Sequence, residues 1–369
     1  MKRSCRRPIN ESLLNDNDTT MMGDVSNPVR SSLGSLRNST SKRSCRQLLV
    51  VGLCLLSSVS SLTSPNLWTR QVTTGSRSVG QHRRDLFWLH QTTTALQETT
   101  VTLQWTEFHS VNKDTTAETP VLLLHGLLGS KRNFASLATS LGNQLEKQRR
   151  IIGVDLRNHG DSDHAPEMTY TAMAKDVLEF MNSQGLEKAV LIGHSMGGKI
   201  AQAMSLLYPE RVDGLVVLDI APVEYSSNDP HWKAVEDIMH AMRSVEDAST
   251  KAALDKQLRT SIPDPNLRAF VLTNYDARSK GWKIPVSTIC NQLDCIAGFD
   301  VTKVTSNCYE GDVFIIHGGQ SRFVRHAYMD RIAELFPNHM LTTIRGAGHW
   351  VHAEAPDDTI ALLKRYLDR

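Results

Sequence analysis

Ala189-Val190-Leu191-Ile192-Gly193-His194-Ser195-Met196-Gly197-Gly198-Lys199 is the stretch on which the reading of this chain turns. Four apolar residues suit a strand buried on both faces, and G-x-S-x-G follows at once, before a helix-like segment. Strand, sharp turn and helix is the setting in which such a serine becomes chemically useful. The flanking glycines admit a tight turn that side chains would block, and the turn lifts the Ser195 hydroxyl above the sheet. The same residues come close to a phosphate-binding loop, Gly193-x-x-x-x-Gly198-Lys199, but the next residue is Ile200. Isoleucine has no oxygen for Mg²⁺, so nucleotide hydrolysis is set aside.

Outward from this stretch the chain repeats a pattern. Val101–Trp105 alternates apolar and polar residues, as a half-buried strand does. Short apolar runs follow at Val121–Leu124, Ile151–Val154, Leu215–Leu218 and Val313–Ile316, with a weaker one at Met340–Ile344. Helix-period segments such as Met173–Met181 and Phe323–Leu335 lie between them. Alternating β and α predicts an α/β fold with a mostly parallel central sheet flanked by helices. Chemistry then belongs at the C-terminal ends of the strands. The alternation breaks at about residues 224–300, which read as an all-helical cap inserted between sheet strands. There Trp232, Val235, Ile238, Met239 and Met242 fall at helical spacing, as do Leu267, Phe270 and Val271. Packing, rather than a lipid-binding surface, is the expected role of this stripe.

A nucleophilic serine needs a base, and Gly346-Ala347-Gly348-His349-Trp350 follows the last strand on a loop free to deliver the imidazole. His352 is the rival three residues on. The acid that orients the base commonly follows the strand after the cap. Here that loop reads His317-Gly318-Gly319-Gln320-Ser321-Arg322-Phe323, with serine where aspartate is expected. Asp219, directly at the end of Leu215–Leu218, keeps the order Ser, Asp, His and is preferred over Asp294 or Asp300. Two N–H groups should receive negative charge on a substrate oxygen, those of Met196 and of Leu127 in His125-Gly126-Leu127-Leu128-Gly129. No HExxH occurs, and neither a metal nor a cofactor is expected.

Several further segments of this sequence carry a resemblance. His125-Gly126, Asp155-x-Arg157-Asn158-His159-Gly160-x-Ser162, Gly193 to Lys199 and Gly348-His349 resemble the signatures of the α/β-hydrolase superfamily from about Val101 to the C-terminus. Asp219-Ile220-Ala221-Pro222-Val223-Glu224-Tyr225 and Arg268-Ala269-Phe270-Val271-Leu272-Thr273-Asn274 are similar to a narrower branch. It holds small bacterial esterases and α/β-hydrolase domain-containing protein eleven. The resemblance implies a serine hydrolase of acyl esters and supports Asp219 as the acid. The expected substrate is a small acyl ester or lipid-like molecule. A ligand receptor with residual hydrolysis, and a lyase, are the other functions this fold supports.

Charge divides the chain of 369 residues in two. Residues 1–84 hold 13 Lys/Arg against 4 acids, and the remainder 28 against 35, so the acidic body gives no reason to expect nucleic acid as a partner. No Asp or Glu occurs between Val25 and Arg84. Within that span the basic residues Lys42, Arg43 and Arg46 precede a nine-residue apolar run, Leu48 to Leu56. The run is too short to span a bilayer but fits the apolar part of a signal peptide, and Ser57 to Arg84 has transit-peptide composition. Residues 1–95 therefore read as a largely disordered leader for organelle import, to the mitochondrion or, in an alga, the plastid. Residues 96–369 read as the hydrolase domain, without a transmembrane span. Three of the six cysteines (Cys5, Cys45 and Cys54) lie in the leader. The other three (Cys290, Cys295 and Cys308) form neither a disulfide framework nor a zinc motif.

Overall fold

A computed structural model describes residues 100–111, 118–245, 250–305 and 307–369. The segment read as a leader lies outside these residues. Seven strands form the main sheet: β1 (Trp105–His109), β2 (Val121–Leu124), β3 (Ile151–Val154), β4 (Ala189–His194), β5 (Val212–Leu218), β8 (Val313–Gly318) and β9 (His339–Ile344). Their order is β1-β3-β2-β4-β5-β8-β9. β1 runs antiparallel to β3, and every other pairing is parallel.

Strict alternation assigns the two faces of the sheet. Leu122, Leu124, Ile152, Val154, Leu191, Leu215 and Val217 join one apolar core with helices α2 (Tyr170–Ser183) and α3 (Met196–Leu207). Val121, Leu123, Ile151, Val190, Ile192, Val216 and Leu218 join a second with α1 (Ala135–Gln144) and a C-terminal helix, Pro356–Leu367. All four residues of β2 and of β3 are buried. Burying each large one contributes about 1.5–3 kcal/mol, which explains why these two strands begin and end where the apolar runs do.

β1 departs from expectation. The strand is Trp105–His109 rather than Val101–Trp105, because N–H groups of the earlier residues bond to side chains rather than to a ladder. Val101 N–H donates to Asp176 (2.9 Å) and Gln104 N–H to Ser162 Oγ (2.8 Å). The segment Phe323–Leu335 also divides, into a 3₁₀ turn at His326–Tyr328 and a helix at Met329–Leu335.

Between β5 and β8 lie α4 (Pro230–Arg243), α5 (Lys251–Leu258), α6 (Pro265–Val271), α7 (Val286–Cys290), α8 (Leu293–Ala297) and α9 (Val301–Val304). The insertion is not wholly helical: β6 (Tyr275–Asp276) and β7 (Gly281–Trp282) form a two-residue antiparallel hairpin. Trp232, Met239, Met242 and Val271 of its apolar stripes are buried in the core. Among the described residues no helix is long and apolar enough to cross a membrane.

Candidate active site

The strands of the parallel block end on one edge of the sheet, and each end delivers part of the site. β4 passes into α3 through Ser195, whose φ of 52° and ψ of −120° are strained for a residue with a side chain. The glycines around it are required by contact. A Cβ on Gly193 would lie 2.2 Å from the Gly197 carbonyl oxygen, and one on Gly197 2.2 Å from that of Leu124.

Directly after β5 comes Asp219, fully buried and with φ of 55°. His349 Nδ1–H donates to its carboxylate at 2.6 Å, Gly318 N–H donates at 3.0 Å, and the Ser321 hydroxyl donates to the oxygen that His349 uses. Serine thus stands where an acid was anticipated and bonds to the aspartate that follows the neighbouring strand. The other two candidates are elsewhere. Asp300 bonds to Tyr170 N–H (2.9 Å) and the Thr171 hydroxyl (2.5 Å) at the start of α2. Asp294 lies in α8 and borders a separate surface hollow with Glu224 and Ser226.

The loop that carries His349 is held from both sides. Gly346 takes φ of 83°, and the Glu354 carboxylate accepts from Gly348 N–H (2.6 Å) and Trp350 N–H (3.1 Å). His194 Nε2–H donates to the His349 carbonyl at 2.9 Å. His352 packs instead against His194 and Phe134, ring centroids 4.5 and 4.9 Å apart, and burial lowers its pKa to about 4.

After β2, Gly126 to Gly129 form a turn closed by Gly129 N–H donating to Gly126 C=O at 3.0 Å. Leu128 takes φ of 63° within it. Two buried histidines brace this loop. Leu156 N–H donates to His125 Nε2 (3.0 Å), so the proton sits on Nδ1, which donates to Gly126 C=O (2.8 Å). By the same reasoning His159 accepts from Leu128 N–H (3.1 Å) and donates from Nδ1 to Arg157 C=O (2.9 Å). Burial lowers their pKa values to about 4 and about 3, so both are neutral above these pH values. Arg157, in turn, pairs with Asp176 at 2.5 Å. The segment Asp155 to Ser162 is therefore scaffolding for the glycine turn.

Ser195, His349, Leu127 and Met196 line one cavity of about 360 Å³. Its walls are mostly apolar, with Val235 and Ile238 from α4 and Leu267 and Phe270 from α6, so part of the insertion's stripe faces this space. Lys199, one turn beyond Ser195, is buried at its edge. Its ammonium donates to the carbonyls of Ala297 and Gly298, each at 2.7 Å, between the rings of Tyr170 and Tyr225. Burial pushes its pKa well below the usual lysine value. The sequence reading missed Ser321 as a partner, Glu354, His194 and Lys199; only Ser321 left a signal, as the residue out of place.

A parallel sheet with these strand-end loops defines an α/β hydrolase. The sequence pattern of the alpha/beta hydrolase fold family matches residues 119–356, and the chain belongs to that family. Esterase YbfF of Escherichia coli strain K12 is 36% identical over 251 residues, covering 68% of this chain and 93% of the relative. The sn-1-specific diacylglycerol lipase ABHD11 of Mus musculus is 36% identical over 252 residues, covering 67% of this chain and 80% of that protein. Among solved structures, a marine microorganism esterase aligns with a TM-score of 0.66 at 32% identity, covering 72% of this chain and 100% of the other.

Proposed function

We propose that this chain is a serine hydrolase that cleaves carboxylic (acyl) esters through an acyl-enzyme. The observation that carries the reading is the 2.6 Å contact between His349 Nδ1 and the buried Asp219 carboxylate, on a cavity shared with Ser195. With Nδ1–H committed to Asp219, Nε2 of His349 holds the free lone pair. It takes the Ser195 proton as Oγ attacks the ester carbonyl and returns that proton to the leaving alcohol. The Asp219 carboxylate, hydrogen-bonded to Nδ1, stabilises the imidazolium in between. The N–H groups of Leu127 and Met196 receive the negative charge on the carbonyl oxygen; that of Met196, first in α3, has no partner within the helix. Water then attacks the acyl carbon while His349 takes its proton, releasing the acid and restoring Ser195. No cofactor enters any step.

The apolar cavity walls favour an acyl or lipid-like substrate, and the names of the relatives agree with that class. In this reading residues 224–300 are a cap that shapes the pocket. Residues 1–95 are an import leader; fused to a fluorescent protein, they should direct it to an organelle, and a diffuse cytosolic signal would remove that assignment.

Turnover of p-nitrophenyl esters from short to long acyl chains tests the chemistry. Ser195→Ala should lose most of the rate, approaching ~10⁶-fold, and Asp219→Asn about 10⁴-fold. Asp294→Asn should retain the wild-type rate. Equal rates for wild type and Ser195→Ala would sink the proposal.

A further inference from the structure

A hydrogen bond ties the glycine turn that presents Leu127 to the insertion. Asn274, buried at the end of the 3₁₀ turn after α6, donates from Nδ2 to Leu128 C=O at 2.9 Å. Leu128 is a branched residue at φ of 63°, a conformation that glycine tolerates better, so its peptide groups need fixing from outside. His159 fixes its N–H and Asn274 its C=O.

The peptide groups of the turn then connect in sequence. Leu128 C=O belongs to the same planar amide as Gly129 N–H, which donates to Gly126 C=O at 3.0 Å. Gly126 C=O, which also accepts from His125 Nδ1–H at 2.8 Å, belongs to the same amide as Leu127 N–H. In a trans amide the N–H points opposite to the C=O, so holding Gly126 C=O aims Leu127 N–H the other way. Each donated bond also polarises its amide and strengthens the N–H at the far side.

We infer that Asn274 is a positioning residue for the oxyanion hole: through Leu128–Gly129 and Gly126–Leu127 it orients the Leu127 N–H, making the insertion part of the catalytic apparatus. The inference rests on the hydrolase reading above. It assigns to the insertion an effect on the chemical step, separate from any effect on substrate fit. Asn274 touches no reacting atom.

The test uses the full chain with Asn274→Leu, which keeps the volume and removes the donor, and Asn274→Asp, which replaces the donor by an acceptor. Both should lower kcat for p-nitrophenyl esters by about 10- to 50-fold, less than deletion of an oxyanion donor costs. KM should stay within about twofold, as for loss of an interaction made only in the transition state. Affinity for a phenylboronic acid, whose tetrahedral adduct on Ser195 places an oxygen at the same N–H groups, should fall by a similar factor. A raised KM with unchanged kcat, or full activity and boronate affinity in either folded variant, overturns the inference. If wild type turns over no ester, the hydrolase reading fails, while boronate capture by Ser195 still reports on Asn274. If neither variant folds, amide exchange in the wild-type protein decides. Slow exchange at Gly129 N–H supports the relay, and exchange at the rate of an open loop overturns it.

Discussion

Ser195, the proposed nucleophile, holds a backbone conformation that its own side chain disfavours. Strain of this kind costs about 1–3 kcal/mol, whereas glycine costs about 0.5–1 kcal/mol through its freer unfolded chain. Ser195→Gly is therefore expected to raise the melting temperature while abolishing turnover, and calorimetry checks it. An unchanged or lower value would mean that the turn stores no strain. Ser195, His349 and the glycine turn were legible because tight turns demand particular residues at fixed spacing. Asp219 was legible only in part, since its selection depends on which strand lies beside the histidine loop. Sequence spacing does not report that neighbourhood. Ser321 illustrates the limit: its mismatch was visible, but its hydrogen bond to Asp219 spans 102 residues.

Among the elements, those buried on both faces announced themselves and those with mixed surroundings did not. β2 and β3 coincide with their apolar runs, while β1, at the sheet edge with a bulge after Glu107, is displaced by four residues. The β6–β7 hairpin is two residues long on each side and leaves no periodic signal. The loop after β9 carries a second hidden dependence, because the exposed Glu354 gathers the N–H groups on both sides of His349. Glu354→Ala should release that loop and lower kcat by roughly 10-fold, in line with small displacements of catalytic groups. Its melting temperature should change little, since few buried contacts are lost. A kcat equal to wild type would show that Gly346 and His194 hold the loop without help.

At the scale of the molecule, the buried histidines couple stability to pH. His125, His159 and His352 have pKa values lowered by burial from 6.5 to about 4, about 3 and about 4. Between the ordinary value and these, the unfolded chain binds protons that the folded one refuses, so stability falls as pH drops below about 6.5. The contribution is complete above that pH and gone below the folded values. Each of the three can contribute up to ~3–5 kcal/mol. Denaturant midpoints from pH 7 to 4.5 should fall steeply, and His352→Gln should flatten the slope. A slope indifferent to that replacement would assign the effect elsewhere.

The buried ammonium of Lys199 makes the insertion mechanically lopsided. At that end, lifting the insertion would strip the buried Lys199 amino group of two carbonyl partners and the face of Tyr225 while it remains out of water, a heavy desolvation cost. At the other end, half-buried Phe270 of α6 meets half-buried Trp350 beside His349 through an edge-to-face ring contact of 6.1 Å. That contact is worth only about 0.5–1.5 kcal/mol beyond the area it buries. Of these two contacts, the aromatic pair beside His349 is the cheaper to part.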